Sequence, residues 1–461
     1  MLRMNEDCVT DVTTPARFPT GSARRHTSWA GVALLAVCAG ALLFALHRAG
    51  QTARGITRMD LVAVSSAAVI VVHGRVLGRP FTALHVGFAG ALVLTGVFIG
   101  LSGHPGGALL GVVAAAVVFV WPSDSRYQPA ALDAVSVLVD QTREDPLAPF
   151  AMAPGKSYVF SSDGAAALAY RAVAGFAVVS GDPIGDPACY GEVVGDFAAL
   201  CRAQGWRIVV LGASAHQVGM WQSDLVPGPR LRAISFGRDV VVDVDRFDLV
   251  GRSKRNLRQA VNRTHNALVT TEVVVERDLD EGLRRELLEV IDTSHKNTHR
   301  GFSMMLGRVL SGRYPGVLLI IARGRAGRVE AFQRYVSAGN GSDLSLDLPW
   351  RRPDAPNGVD ERLAVDMIAW AKGHGFQRVS LSFAPFPDLF ANASTNAALR
   401  VLRLLAHAGD RVLKLESLYR YLRKFDAMSE RRYVLLPLIG VLPAAVVLMA
   451  LEFAPHRDLR D

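Results

Sequence analysis

Cysteine is scarce in this chain. Four residues, Cys8, Cys38, Cys189 and Cys201, are spread over 461 positions. They form no C-x-x-C pair and no metal-ligand spacing, which excludes a disulfide framework and a zinc finger or ribbon. Cys189 and Cys201 lie about three helical turns apart and are expected to stay reduced, placing the region around them in the cytosol. There is no H-E-x-x-H, no G-x-S-x-G and no Walker-type glycine loop. The absence of these motifs fits a chemistry that needs no metal and no cofactor. Acidic residues are the minority charge, 42 against 51 lysines and arginines, for a formal net charge of +9. A basic chain favours anionic partners, acidic lipid or nucleic acid. Arginine gathered in cytoplasmic loops of a membrane protein would produce the same excess.

What the chain does have is long apolar runs. Residues 1–27 are polar and carry Arg17, Arg24 and Arg25, a disordered basic tail. Trp29 to His47 is long enough to span a bilayer and has no small-residue cleavage site, so it reads as an anchor. Leu61 to Val72, Phe81 to Leu101 and Leu109 to Trp121 complete a transmembrane region of about four helices over 28–122. The Arg-bearing tail puts the N-terminus inside, and four spans return the remainder to the cytoplasm. Arg48, Arg54 and Arg58 would then lie outside, which a re-entrant second segment would resolve. Residues 123–156, with several prolines, read as a linker. A last apolar run, Val434 to Phe453, is interrupted by Pro437 and Pro443 and reads as a membrane-associated or spanning segment over 434–454.

Between these lies an alternation of strands and helices. Tyr158 to Ser161, Ala166 to Arg171 and Phe176 to Ser180 form an antiparallel meander with glycine-containing turns. A helix over Glu192 to Gln204 and a strand over Arg207 to Leu211 follow. After a basic helix, Lys254 to His265, come a strand at Leu268 to Val275 and a helix at Leu279 to Lys296. Strands recur at Val317 to Ala322, Val329 to Val336 and Leu344 to Leu348, then a helix at Glu361 to His374 and a strand at Arg378 to Phe383. The meander, helix, strand order occurs twice. The expected fold is an α-helical membrane segment followed by α/β (α+β) tandem acetyltransferase-like domains over 157–433. The basic-x-x-Gly-x-Gly loop that would hold coenzyme A is missing. Its nearest match, Arg323 to Arg328, lies between two strands and reads as a hairpin turn.

The densest polar signal is SLDLPWRRPDAPNG, Ser345 to Gly358, followed by the helix ERLAVDMIAWAKGHG. Pro349 removes a backbone donor and is expected to end the strand. Asp347, Arg351, Arg352, Asp354, Asp360 and Glu361 crowd the strand end and the following turn. Charge gathered there suits a polar site on a rigid base, or a plain solvated loop.

This segment resembles the signature of the phosphatidylglycerol lysyltransferase family, the soluble domain of the multiple peptide resistance factors. Further motifs follow in the family's order: SSDGAAALAYR (Ser161 to Arg171), VSGDPIGD (Val179 to Asp186), SKRNLRQAVNR (Ser253 to Arg263), HRGFSMMLGR (His299 to Arg308), AFQRY (Ala331 to Tyr335), SLYRYLRKF (Ser417 to Phe425) and RRY (Arg431 to Tyr433). The resemblance covers roughly Ser157 to Pro437 and is closest to the actinobacterial lysyl-phosphatidylglycerol synthases, without their fused lysyl-tRNA synthetase.

The resemblance implies transfer of an aminoacyl group, lysyl by default, from aminoacyl-tRNA to the head-group hydroxyl of phosphatidylglycerol. It implies a multi-pass protein of the cell membrane, its catalytic region facing the cytoplasm. A separate aminoacyl-tRNA synthetase would supply the donor. Asp347 matches a family acidic residue that would hold an ammonium group or assist proton removal; an ion pair with a nearby arginine is the plainer alternative. Arg351 and Arg352 would bind phosphate. The family usually has arginine three residues after this aspartate, where this chain has Trp350. Lys424 and Arg423 match a basic pair facing lipid phosphate or the tRNA acceptor end. Asp182 and Glu361 are further substrate-binding candidates, Asp182 with a structural turn as the stronger reading. Arg255 and Arg258 belong to a basic helix suited to RNA or anionic lipid. Phe302, Met304, Met305 and Leu306 suit an apolar lipid wall or ordinary core. Two other readings stand beside this one: the same fold acting on another lipid or a peptidoglycan precursor, and a decayed transferase, which Trp350 keeps open.

Overall fold

The computed structural model describes residues 66–71, 83–102, 105–294, 305–385, 415–438 and 440–453. The expected tail and the expected span at Trp29 to His47 lie outside them. Two helices, α1 (Ala83–Leu101) and α2 (Pro105–Phe119), pack as a hairpin. A Cβ on Gly111 would sit 2.8 Å from the Gly96 Cα, so the helices cross at backbone contact. Small residues at a crossing are how apolar helices pack where no polar solvent drives them together. Phe88, Leu94, Phe98 and Leu110 stay largely exposed on this hairpin. Among the described residues, no helix is long and apolar enough to cross a membrane. The four-span region is therefore not displayed by this structure.

The remainder builds one twelve-stranded sheet in the order β1-β2-β3-β5-β12-β6-β11-β10-β9-β8-β7, with β4 (Ile184–Gly185) beside β2. The first half is β1 (Ser157–Phe160), β2 (Ala166–Val173), β3 (Phe176–Ser180), then a helix, α4 (Tyr190–Gln204), and β5 (Arg207–Ser214) parallel to β3. The second is β7 (Thr270–Val275), β8 (Val317–Arg323), β9 (Val329–Ala338), β10 (Asp343–Arg351), a helix, α7 (Val359–Gly373), and β11 (Arg378–Pro385) parallel to β10. This is an acetyltransferase-like α/β unit repeated. Arg323 to Val329 turns as the expected hairpin, Gly324 N–H donating to the Arg328 carbonyl at 2.9 Å.

Besides the two-residue β4, two long strands escaped the sequence reading: β6 (Leu231–Asp243) and β12 (Met428–Pro437). They cross between halves. β12 lies between β5 and β6, and β6 lies between β12 and β11. Each half is thus completed by a strand of the other, which makes the sheet continuous. Neither strand announces itself, because polar residues such as Arg238 on β6 and Glu430 on β12 interrupt the alternation of apolar side chains.

Two boundaries shift for the same reason. Residues 434–437 are not the start of a membrane segment but the buried end of β12. The apolar run resumes as a separate helix, α9 (Val441–Phe453), whose Ala444, Val447 and Leu451 pack on β3, β5 and β12. Residues 123–156 are not a free linker. They carry a helix, α3 (Leu132–Gln141), whose Val135, Leu138 and Val139 share a core with Ala167, Leu306 and Val336. Apolar residues at helical spacing along one face of α3 explain that burial. The following turn joins the halves: Glu144 pairs with Arg378 at 2.8 Å, and the Ser345 hydroxyl donates to the Pro146 carbonyl at 2.9 Å.

Candidate active site

The parallel strands of the second half part early. β10 and β11 pair at Asp343–Arg378, Leu344–Val379 and Ser345–Ser380, and then separate. Against β9 the register shifts between Leu346 and Leu348, so Asp347 is the extra residue of a bulge. A one-residue shift exchanges the faces of a strand. Before the bulge, Leu344 and Leu346 join the core beneath α7; after it, Leu348 and Trp350 join the core beneath a helix, α6 (Glu281–Thr293). Trp350 is buried and stacks on Phe332 with ring centroids 4.8 Å apart. The next position, Arg351, turns to the α7 side and approaches Asp360 at 3.6 Å. The strand does not end at Pro349; it continues to Arg351. β11 has already diverged there, so the missing N–H breaks no ladder on that side.

Asp347 is the centre of a closed ionic cluster. One carboxylate oxygen accepts from Arg334 Nη1 at 2.6 Å and the other from the Leu306 backbone N–H at 2.9 Å. Arg334 is fully buried and also donates to both oxygens of Glu276, at 2.5 and 3.0 Å, and to the Gly307 carbonyl at 3.0 Å. Glu276 in turn accepts from the Gly312 N–H at 3.2 Å. Burial pushes the Asp347 carboxyl above its usual value and the Glu276 charge adds to that, while Arg334 and the Leu306 N–H pull it back. The ion-pair alternative for Asp347 is what the structure shows. Its carboxylate holds the Leu306 N–H, while Arg334 and Glu276 hold Gly307 and Gly312 of the same loop. Met305 and Leu306 are buried, whereas Phe302 and Met304 lie outside the described residues.

The open part of the site is at the start of α7. Gly358 precedes it with φ +98°, and a Cβ there would meet the Ala260 carbonyl of the basic helix, α5 (Arg255–Asn266), at 2.9 Å. Only glycine fits both the angle and the approach. Asp360 and Glu361 occupy the first turn, where the helix dipole favours negative charge. Glu361 accepts from Lys424 at 2.5 Å, just beyond a helix, α8 (Leu415–Arg423). The Asp360 carbonyl accepts from Gln333 Nε2 at 3.0 Å and from the Tyr421 hydroxyl at 3.3 Å, and Tyr335 donates to Gln333 at 2.8 Å. The Arg351 and Lys424 side chains are 40% and 34% exposed, so their charges reach solvent while their partners are mostly covered. Asp360 Oδ1 is buried with no hydrogen-bond partner among the described residues. Two carboxylates, two cations and one unfilled acceptor therefore converge on one helix start.

The first half holds a counterpart. The last paired residues of its parallel strands are Ser180 and Leu211, and two residues beyond Ser180 stands Asp182, as Asp347 stands two beyond Ser345. Asp182 accepts from the Ser214 N–H at 3.1 Å and lies 3.3 Å from Arg432 Nη1. Arg432, 2% exposed, also reaches Asp239 at 2.7 Å and Asp145 at 2.7 Å. Burial and the neighbouring Asp145 push Asp182 up to about 7 against the pull of Arg432, and burial pushes Asp239 up to about 6. Close by, Lys156 is fully buried, donating to the Ser180 hydroxyl at 2.7 Å and the Phe150 carbonyl at 2.6 Å. Burial lowers it to about 7.

Of the residues singled out from sequence, Arg351, Glu361 and Lys424 are brought together with Asp360. Asp347 lies behind them as support. Asp182 sits in the other half, within the Arg432 cluster. Arg352 turns away to Glu289 at 3.1 Å and the Val329 carbonyl at 2.9 Å. Arg258 is spent on the Leu249 and Gly251 carbonyls, the latter at 2.7 Å, and braces α5. Arg255 and Arg423 are exposed. The buried members Arg334, Glu276, Arg432 and Asp239, and the half-buried Asp145, were not singled out. Arg334 and Arg432 stand inside the AFQRY and RRY motifs, so the signal was present without its meaning.

A profile for phosphatidylglycerol lysyltransferase, C-terminal, matches residues 136–436. An MprF-like domain protein of Mycobacterium tuberculosis is 51% identical over 435 residues, 92% of this chain and 89% of the relative. The bifunctional lysylphosphatidylglycerol biosynthesis protein of Mycobacterium avium is 33% identical over 309 residues, 65% of this chain but 26% of that longer protein. The crystal structure of the C-terminal domain of a putative lysylphosphatidylglycerol synthetase from Agrobacterium fabrum superposes with a TM-score of 0.59 at 24% identity, over 72% of this chain and all of that one. L-PGS from Bacillus licheniformis gives 0.58 at 20% identity, over 70% and 96%. These two likenesses concern the fold. With the profile covering most of the sheet and both ionic clusters, the chain belongs to the phosphatidylglycerol lysyltransferase family, a family of lipid aminoacyltransferases, and carries its C-terminal region.

Proposed function

We propose that this protein transfers an aminoacyl group, lysyl by default, from aminoacyl-tRNA to the head-group hydroxyl of phosphatidylglycerol at the cytoplasmic face of the cell membrane. The observation that carries this reading is the helix start at α7, where Arg351 and Lys424 stand partly open beside Asp360 and Glu361. The lipid phosphate suits the Arg351 guanidinium. The ammonium of the aminoacyl group suits the unfilled Asp360 Oδ1. The donor is an activated ester, so the enzyme's task is orientation and proton handling. The lipid hydroxyl oxygen attacks the ester carbonyl, a new ester bond forms, the bond to the tRNA ribose breaks, and the hydroxyl proton ends on the ribose oxygen. The Glu361–Lys424 pair is placed to relay that proton. Asp347 and Arg334 act as positioning residues. The exposed Arg252, Arg255 and Arg263 on and beside α5 offer the tRNA backbone a basic face. That Trp350 packs in the core while Arg351 stands beside Asp360 supports an active over a decayed transferase. The apolar N-terminal runs would hold the enzyme in the membrane as a multi-pass protein, and a separate synthetase would charge the tRNA.

The test is lipid mass spectrometry of a host that lacks aminoacylated lipids and expresses the full chain. A new aminoacyl-phosphatidylglycerol, lost in Lys424→Met, is expected, and its mass names the amino acid. No new lipid with folded protein present would overturn the reading; an aminoacyl ester of another lipid would move the acceptor.

A further inference from the structure

The first half ends on a surface that the transfer chemistry does not use. Along α9 one face packs on the sheet through Ala444, Val447 and Leu451. The other face, with the residue leading into the helix, presents Leu438, Leu442 and Val446 at 60%, 69% and 68% exposure, spaced four apart in a single stripe. The helix has one charged residue, Glu452, half-buried near its end, whose charge partly offsets the lowering of Lys156 by burial. The outward stripe is thus left wholly apolar. A helix apolar on every face belongs in a protein core or in lipid. Beside the stripe opens a cleft of about 510 Å³ lined by Gln222, Pro229, Arg230, Arg232 and Leu438. Arg230 and Arg232 are exposed and make no ion pair among the described residues. An apolar stripe beside two free guanidinium groups matches the two layers of an anionic bilayer, acyl chain and head-group phosphate.

We infer that α9 lies on an anionic phospholipid bilayer, with a head-group phosphate in the Arg230–Arg232 cleft and Leu438, Leu442 and Val446 in the acyl boundary. The contact is in the half opposite the α7 site and goes beyond the transfer reading. It anchors the sheet at the lipid surface by a second point, independent of the N-terminal apolar runs.

The test uses the full chain reconstituted in vesicles, its four cysteines replaced by serine and a nitroxide attached at Val446→Cys. Collision with oxygen, which partitions into lipid, is compared with collision with a water-soluble nickel complex. In vesicles containing phosphatidylglycerol the label is expected to meet oxygen and exclude nickel. In phosphatidylcholine alone, or with Arg230→Gln and Arg232→Gln together, that pattern is expected to fade. At about fivefold in surface affinity per arginine, the double variant weakens docking about 25-fold. Free nickel access in phosphatidylglycerol vesicles would overturn the inference. So would exclusion of both reagents, since it would mean that protein, another segment or a second copy, covers the helix. Transfer to a short-chain soluble phosphatidylglycerol is measured in parallel. Its absence with a lipid-type label signal defeats the transfer reading alone; its presence with a water-type signal defeats the docking alone.

Discussion

The two halves place an aspartate at the same point, two residues past the last paired residue of their parallel strands, and each aspartate receives one backbone N–H and one buried arginine. The surroundings differ. In the second half, Arg334 serves Asp347 and Glu276 and borrows the Gly307 carbonyl. In the first half, Arg432 serves three carboxylates, Asp145, Asp182 and Asp239, contributed by the turn after α3, the segment after β3, and β6. Arg432 itself comes from β12, the strand that crosses from the second half. The same local device supports a site in one half and pins the exchanged strands in the other. Burial raises both Asp182 and Asp239, and the charge of Asp145 adds to that against the pull of Arg432.

The sharpest way to break this comparison is to remove each arginine. Arg334→Met and Arg432→Met each leave buried carboxylates without their cation and are expected to lose about 3–5 kcal/mol in urea unfolding at pH 8. Lowering the pH to 5.5 should restore more stability to Arg432→Met, because Asp182 and Asp239 are poised to protonate. Equal recovery in the two variants would show that the clusters do not differ electrostatically. At the open site, Glu361→Gln and Lys424→Met are expected to lower the transfer rate constant about a hundredfold, the scale of a lost proton relay, with unfolding midpoints little changed. A rate loss matched by Asp182→Asn would mean that the first half also takes part in transfer.

Asp182→Asn tests the charge excess directly. Folded-state values raised above those of the unfolded chain mean that the native protein binds more protons. The stability from these groups is then fully present below about pH 4 and is lost as pH rises through about 6 and 7. The variant should flatten that decline and equal or exceed the parent above pH 7. A slope unchanged from the parent would mean that Asp182 is already ionised. The smallest effect is expected from Arg255→Gln with Arg263→Gln. Each lost phosphate contact should lower the salt slope of tRNA affinity by about 0.7–0.9, without changing discrimination between tRNAs. An unchanged slope would remove α5 from the tRNA face.

Much of the meander and crossover order was legible, because strands and helices there carry their own apolar periodicity. β6 and β12 were not, because their pairing partners lie in the other half and polar residues break their alternation. The charged cluster from Asp347 to Glu361 was legible as a site, yet the division of labour within it was not. Composition and periodicity alone determined that this is a basic, cysteine-poor chain with apolar helices ahead of a repeated α/β unit, since those properties are local. Only the tertiary structure decided that a one-residue bulge sends Trp350 into the core and Arg351 to the site. It alone closed Asp347 behind Arg334, joined Lys424 to Glu361 across 63 positions, packed the presumed linker against the sheet and drew residues 434–437 of a presumed membrane segment into it. Each of those outcomes depends on which strands become neighbours, and burial assigns the partners only after the sheet has formed.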